Sequence, residues 1–130
     1  MTNQPAPQPM IIRYDPAAEF FTSERCFINE LFNTAADESL SIAQARIAPG
    51  VTTRWHTLIA TTERYVILAG EGLIEIGELP AQLMTALDVA IIPPGCKQRI
   101  TNSGTIDLIF LAICTPRFMP KVYVEMAHSE

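Results

Sequence analysis

Short apolar runs alternate with turn-forming residues along most of the chain. From Met10 onward the runs are MIIRY, CFINELF, SIAQARI, ERYVILA, GLIEIG, ALDVAII, CKQRIT and DLIFLAI, and segments rich in Gly, Pro, Asn, Asp and Ser separate them. Apolar runs of this length between turn signals indicate β-strands. Apolar and acidic residues alternate within LIEIG, which is typical of a strand with one buried face. The pattern predicts an all-β domain, either a sandwich or a barrel.

The two ends of the chain differ from this pattern. TNQPAPQP contains three prolines, so we expect residues 1–9 to form a flexible N-terminal arm. Two short segments, PAAEFF and PKVYVEMAH, could each form a turn of helix. A chain of 130 residues is a common size for one domain with one core. Because no internal repeat or boundary is visible, residues 10–130 are predicted to form a single domain.

The charge and composition of the chain limit its partners and its compartment. The net charge is −5 and the nine Lys and Arg residues are scattered singly, which argues against a nucleic-acid or membrane-surface partner. The N-terminus lacks the basic start and apolar segment of a signal peptide, and no apolar run reaches the length of a transmembrane helix. Three cysteines far apart argue against a disulfide framework. We therefore expect a soluble cytoplasmic protein.

One histidine and one glutamate stand seven positions apart in GVTTRWHTLIATTERYVILAG, residues 50–70. The segment is predicted to form two strands joined by a tight turn. Alternate side chains of a strand face the same side, so His56 shares a face with Leu58, and Glu63 shares a face with Tyr65. If the turn pairs the two strands, the imidazole and the carboxylate can meet. A structural hydrogen-bonded pair and a functional pair both remain open at this point.

Together with ALDVAIIPPGCKQRITNSG, this segment resembles the two sequence motifs of the cupin family. The family's first motif is Gly, five residues, His, one residue, His, three or four residues, Glu, six residues and Gly. The positions that match the two motifs in register are Gly50, His56, Glu63, Gly70, Pro93, Gly95 and Asn102. The resemblance covers about residues 41–115. It implies a single-domain double-stranded β-helix, which is a jelly-roll barrel, and a homodimer.

The chain departs from the family at three motif positions. Leu58 replaces the second histidine of the first motif, Gln98 replaces the histidine of the second, and Leu87 replaces the glycine that opens the second. In typical cupins three histidines and one glutamate hold one divalent metal ion. The resemblance therefore implies a site of His56, Glu63 and Gln98, in which the amide oxygen suits a hard cation such as Mg²⁺, Ca²⁺ or Mn²⁺. This set is poorer for Zn, Fe, Ni or Cu than three imidazoles.

Two classes of function follow from this resemblance. In the first, a weakly held divalent metal or the bare pocket acts on a small polar molecule, with His56 or Glu63 as catalytic base of an isomerase-, lyase- or oxygenase-like step. In the second, the barrel has lost metal binding and only binds a small molecule or serves assembly. Tyr65 could line the pocket or belong to the core. Arg46 could hold an anionic substrate group if its face points inward, or meet solvent if it points outward.

Overall fold

The computed structural model describes residues 6–126, and its strands form two facing antiparallel sheets. The strands are β1 (Phe20–Phe21), β2 (Phe27–Phe32), β3 (Ser41–Ile47), β4 (His56–Leu58), β5 (Thr62–Ala69), β6 (Gly72–Ile76), β7 (Gln82–Met84), β8 (Val89–Ile92), β9 (Gln98–Asn102), β10 (Leu108–Thr115) and β11 (Tyr123–Glu125). Two single-turn 3₁₀ helices lie at Pro16–Ala18 and Pro120–Val122. Neither has the length and apolar character that crossing a membrane would require. The predicted all-β class is confirmed.

The two sheets divide the strands in the order of a jelly roll. One sheet has the order β1-β2-β3-β10-β5-β8, and the other has the order β11-β4-β9-β6-β7. All of the pairings within the two sheets are antiparallel. Strands that follow one another along the chain repeatedly change sheet, so residues close in sequence face each other across the interior.

The core lies between the sheets, and strict alternation along the strands decides which side chains enter it. In β10, every second residue from Leu108 to Cys114 is buried, and in β5 the same holds from Glu63 to Ile67. The largest apolar side chains sealed in this way are Ile47, Ile67, Ile92, Ile100 and Leu108. Alternating burial of this kind is what a sheet with one face toward a core requires.

The two glycines that frame the first motif have backbone reasons for being glycine. Both adopt left-handed conformations, with φ of +81° at Gly50 and +79° at Gly70, a region that costs other residues about 1–2 kcal/mol. A Cβ at Gly70 would also lie 2.7 Å from the backbone oxygen of Asp107. Because glycine has no Cβ, the end of β5 can lie directly against the segment before β10.

The two strands that carry His56 and Glu63 do not pair with each other, so the condition set for their meeting across one turn is not met. The two strands exist, but β4 pairs with β9 and β11, whereas β5 pairs with β8 and β10. The short connection between them, with Ala60 at a φ of +54°, carries the chain from one sheet to the other. His56 and Glu63 therefore face the same interior from opposite sheets.

Near the ends of the described chain, one segment differs from the prediction and two agree with it. MIIRY, residues 10–14, has no strand partner in the described chain and runs as an extended coil. An apolar run becomes a strand only where a neighbouring strand pairs with it, and the pattern of a single run carries no information on that. The two segments in which a turn of helix was expected each contain one 3₁₀ turn, at Pro16–Ala18 and Pro120–Val122, and β11 follows the second turn. Residues 1–5 and 127–130 lie outside the described part, so the flexible arm and the single-domain boundaries stay predictions.

The edge strand β8 leaves apolar side chains on the outside. Val89 and Ile91 are 57% and 65% exposed, and Leu87 before the strand is 76% exposed. Exposed apolar side chains grouped on a sheet are common at interfaces between chains. The homodimer that the family resemblance implies stays a prediction.

Candidate functional site

A cavity of about 340 Å³ lies between the two sheets. Its walls come from the inward faces of both sheets, with Glu63 and Tyr65 of β5 on one side and His56 and Leu58 of β4 on the other. The size is at the lower end of the range for small-molecule sites. Most of the wall is apolar, so the few polar atoms that reach the cavity determine its chemistry.

Glu63 is a buried carboxylate on the wall of this cavity. Gln98 Nε2 donates a hydrogen bond of 3.0 Å to Glu63 Oε1. Burial is the largest of the effects that raise the pKa of the Glu63 carboxyl from 4.5 to about 7, and the negative charge of Glu24 adds to it. The attraction of His56 is the main effect that opposes the rise. A carboxyl with this pKa exchanges its proton near neutral pH.

Gln98 connects Glu63 to Tyr65 behind the cavity wall. The Tyr65 hydroxyl donates to Gln98 Oε1 at 2.7 Å, while the amide nitrogen of Gln98 donates to Glu63. Gln98 is 1% exposed and is not among the residues that line the cavity. Both the nitrogen and the oxygen of its amide therefore make hydrogen bonds within the protein. The oxygen that was expected to bind a cation accepts a hydrogen bond from the Tyr65 hydroxyl.

One ring nitrogen of His56, Nδ1, is bonded within the protein. It lies 2.9 Å from the backbone oxygen of Arg54. A carbonyl oxygen only accepts, so Nδ1 carries the hydrogen and donates it. Glu24 Oε2 is 3.5 Å from the same nitrogen, and the Tyr123 ring stacks on the imidazole with centroids 4.9 Å apart.

The other ring nitrogen of His56, Nε2, has no hydrogen-bond partner among the described residues. In this part of the chain every sealed side-chain nitrogen or oxygen has such a partner. Nε2 must therefore be open to the cavity that His56 lines. Nδ1 donates in both forms of the ring, so Nε2 is an acceptor in the neutral imidazole and a donor in the imidazolium.

The structure brings together most of the predicted site residues, with one exception. His56, Glu63 and Tyr65 line one cavity, and Gln98 supports two of them from behind. Arg46 is on the other face of β3, since Ala45 and Ile47 occupy the inward positions. The sequence allowed either an inward or an outward side chain at Arg46, and in the structure it lies on the outer face of the sheet.

The outward position of Arg46 is fixed by carboxylates. Its guanidinium donates to Glu19 at 2.7 and 3.0 Å and to Asp107 at 3.2 Å. It also lies over the ring of Phe27, 4.2 Å from the centroid. Arg46 joins segments of the outer surface and is not among the residues that line the cavity. The alternative in which it holds a substrate group required an inward face, and the structure does not have it.

Three further cavity residues were missed by the sequence analysis. Glu24 and Cys26 come from the turn before β2, and Tyr123 comes from β11. Glu24 and Cys26 stand two positions apart at the start of an apolar run, so the sequence could have placed them on one face. Nothing in the sequence indicated that this face lies against β4, because that contact joins residues about thirty positions apart.

The side chains at the cavity do not fit the metal ion that the family resemblance implies. Leu58 has no donor atom, and Gln98, whose amide oxygen accepts a hydrogen bond from Tyr65, does not line the cavity. Among residues 6–126, no three His, Cys, Asp or Glu side chains are grouped as a metal would require. One imidazole and one carboxylate that burial keeps partly protonated make a weak donor set, since a metal needs its ligands deprotonated.

Comparisons with known proteins agree on the fold. No family model matches the chain. The uncharacterized protein MJ1618 from Methanocaldococcus jannaschii is 28% identical over 107 residues, which cover 81% of this chain and 85% of that protein. Sequence similarity at this level extends over most of the domain.

Three solved structures superpose well on the chain. An uncharacterized conserved protein with a double-stranded β-helix domain from Klebsiella pneumoniae has a TM-score of 0.71 at 17% identity, covering 86% of this chain and 93% of its own. A predicted oxalate decarboxylase from Thermotoga maritima has a TM-score of 0.73 at 24% identity, with 82% and 99% covered. The Cnp3 cupin domain of Schizosaccharomyces pombe has a TM-score of 0.69 at 15% identity, with 82% and 75% covered. The chain therefore has the cupin fold, as the two motifs predicted.

Proposed function

We propose that this chain of cupin fold binds a small organic molecule in its cavity and that Glu63 exchanges a proton with the molecule without a metal ion. The observation that carries the proposal is a buried carboxyl whose pKa is about 7, facing a cavity with an imidazole. General acid–base catalysis is most efficient when the pKa of the catalytic group is near the working pH. The proposed reaction is therefore a proton transfer of the isomerase or lyase type.

The proposed roles of the side chains follow from their hydrogen bonds. Glu63 Oε1 accepts a hydrogen bond of 3.0 Å from Gln98, and Oε2 accepts only a long one, 3.8 Å, from the Cys114 thiol. Oε2 is therefore the oxygen that takes a proton from a carbon acid and returns it at another position. His56 Nε2 accepts a hydrogen bond from the substrate and orients it. Gln98 and Tyr65 are positioning residues, because Gln98 bonds to the carboxyl from behind the wall and the Tyr65 hydroxyl holds the Gln98 amide in place.

Hydrogen–deuterium exchange of substrate protons tests this proposal. A panel of small carbon acids, including ketones, hydroxy acids, amino acids and amino ketones, is incubated in D₂O with protein treated with EDTA, and proton NMR follows the loss of C–H signals. We expect exchange with one class of compound. The Glu63→Gln variant should lose about 100-fold or more of the rate, whereas Glu75→Gln, outside the cavity and paired with Arg99, should keep it.

Two results would contradict the proposal in different ways. If exchange disappears with EDTA and returns with an added divalent cation, the reaction depends on a metal and the metal-free account is wrong. If no compound exchanges although some bind, the cavity serves binding alone, as the second class of function expects.

A further inference from the structure

We propose that the molecule taken by the cavity carries a protonated amine. This inference rests on the proposed function of the same cavity and names its substrate class. It comes from the charges, the hydrogen-bonding atoms and the aromatic rings that the described residues present to the cavity.

Acidic side chains outnumber basic ones on the wall. The charged side chains of the described residues that line the cavity are three glutamates, Glu24, Glu30 and Glu63, and no lysine or arginine is among them. Arg54 and Arg117 do not line the cavity and pair with other carboxylates, since Arg54 lies 3.7 Å from Glu125 and Arg117 lies 3.0 Å from Glu38. A carboxylate or phosphate ligand would find no cation to pair with.

The polar atoms that open on the cavity mainly accept hydrogen bonds. In the neutral imidazole of His56, the hydrogen bond from Nδ1 to Arg54 leaves Nε2 as an acceptor. This side chain is only 4% exposed, so an unpaired lone pair in it needs a donor from inside the cavity. The carboxylates of Glu24 and Glu63 are acceptors as well. An ammonium group has three N–H donors and no acceptor, and it therefore matches this set.

Aromatic rings complete the wall. Tyr65 and Phe110 lie with ring centroids 4.3 Å apart, and Tyr123 stacks on His56. Phe20 and Phe118 also border the cavity. Ring faces attract cations, by about 0.5–2 kcal/mol for each well-placed pair.

The other acidic groups of the cavity respond to the same negative environment. Burial raises the pKa of the Cys26 and Cys114 thiols, and nearby glutamates raise these pKa values further. The same two causes raise the pKa of Tyr123. The thiols and the phenol therefore stay neutral, and the glutamates dominate the field that a ligand meets.

Three probes that share a phenylethyl group test the inference at about pH 7.5. They are 2-phenylethylamine, 2-phenylethanol and 3-phenylpropanoate, which are a cation, a neutral molecule and an anion. Isothermal titration calorimetry on the full chain measures their affinities. We expect the amine to bind at least about tenfold more tightly than the anion, as attraction and repulsion in a partly buried site require.

Two variants test whether the preference for the amine comes from the charge of Glu24 at the cavity. Glu24→Gln should weaken binding of the amine by about fivefold or more and change binding of the alcohol less. The matched control is Glu78→Gln, which removes the same charge from a side chain that is 94% exposed and should leave all three affinities unchanged. A loss of amine affinity in both variants would indicate a general effect of net charge and would contradict the inference.

The remaining outcomes separate this inference from the proposed function. Tighter binding of 3-phenylpropanoate would overturn the amine preference and still leave the cavity as a binding site. Equal affinities, or no binding by any of the three probes, would also overturn the preference. The deuterium-exchange experiment decides on proton transfer in each of these cases, because its panel includes molecules without an amine.

Discussion

The Glu63→Gln variant is expected to be more stable than the wild-type protein at about pH 8 and about equally stable near pH 4. The pKa of Glu63 is about 7 in the folded chain and 4.5 as the ordinary value. Between these two values the folded state holds a proton that the unfolded state has lost. The stability of the wild-type protein therefore falls as the pH rises through this window, and the contribution is complete above about pH 7.

The expected size of this effect follows from the difference between the two pKa values. A difference of roughly 2.5 units corresponds to about 3 kcal/mol at 1.4 kcal/mol per unit. Glutamine has the shape of glutamate without the charge, and its amide oxygen can still accept the hydrogen bond from Gln98. The variant should therefore gain up to about 3 kcal/mol relative to the wild-type protein between pH 4 and pH 8.

Urea unfolding of both proteins across this pH range measures the difference. Glu78→Gln is the control, because the Glu78 side chain is exposed. The stability of this variant should follow the wild-type curve across the pH range. A constant difference between Glu63→Gln and the wild-type protein at every pH would contradict a raised pKa at Glu63. If the Glu63→Gln variant were less stable than the wild-type protein at about pH 8, the charged Glu63 carboxylate would be favourable in the fold, which also contradicts the raised pKa.

The Asn102→Asp variant is expected to be strongly destabilised, by about 3 kcal/mol or more. Asn102 is 1% exposed, and its Nδ2 donates to the backbone oxygens of Ile47 and Ile106, both at 2.8 Å. Its Oδ1 accepts from the backbone nitrogen of Gly104 at 2.9 Å. Aspartate would turn a donor to two carbonyls into a buried acceptor that repels them.

The control for Asn102 makes the same chemical change at the surface. Gln82→Glu also replaces an amide with a carboxylate, and Gln82 is an exposed residue of β7, so its effect should stay within about 0.5 kcal/mol. Both variants are compared with the wild-type protein by urea unfolding at about pH 8. Equal stability of Asn102→Asp and the wild-type protein would show that the two bonds to backbone oxygens do not hold the turn.

The fold could be predicted from the sequence because its main determinants are local. Alternation along ERYVILA and DLIFLAI identifies the buried faces of β5 and β10, and the glycine positions of the motifs meet backbone requirements that other residues satisfy poorly. Asn102 is local only in part, since its bond to Gly104 lies within one turn whereas its bond to Ile47 joins positions 55 apart. Features of this kind can be recognised from a short segment of sequence.

The candidate site could be predicted only in part, because its chemistry depends on contacts between distant segments. His56 and Glu63 were found by their spacing, but the partners of β4 and β5 were not. The engagement of Gln98 depends on Tyr65, 33 positions away. Glu24 enters the cavity through the placement of the turn before β2. Spacing shows which side chains could act, and packing decides what each one touches.

A carbon-13 NMR titration of the glutamate carboxyl carbons, on metal-free protein labelled at glutamate, tests the central claim most directly. The account predicts one carboxyl that titrates near pH 7 and whose signal is absent from the Glu63→Gln variant. If no glutamate carboxyl titrates between about pH 6 and pH 8, Glu63 is fully ionised at neutral pH and the proposed proton exchange in the cavity is wrong.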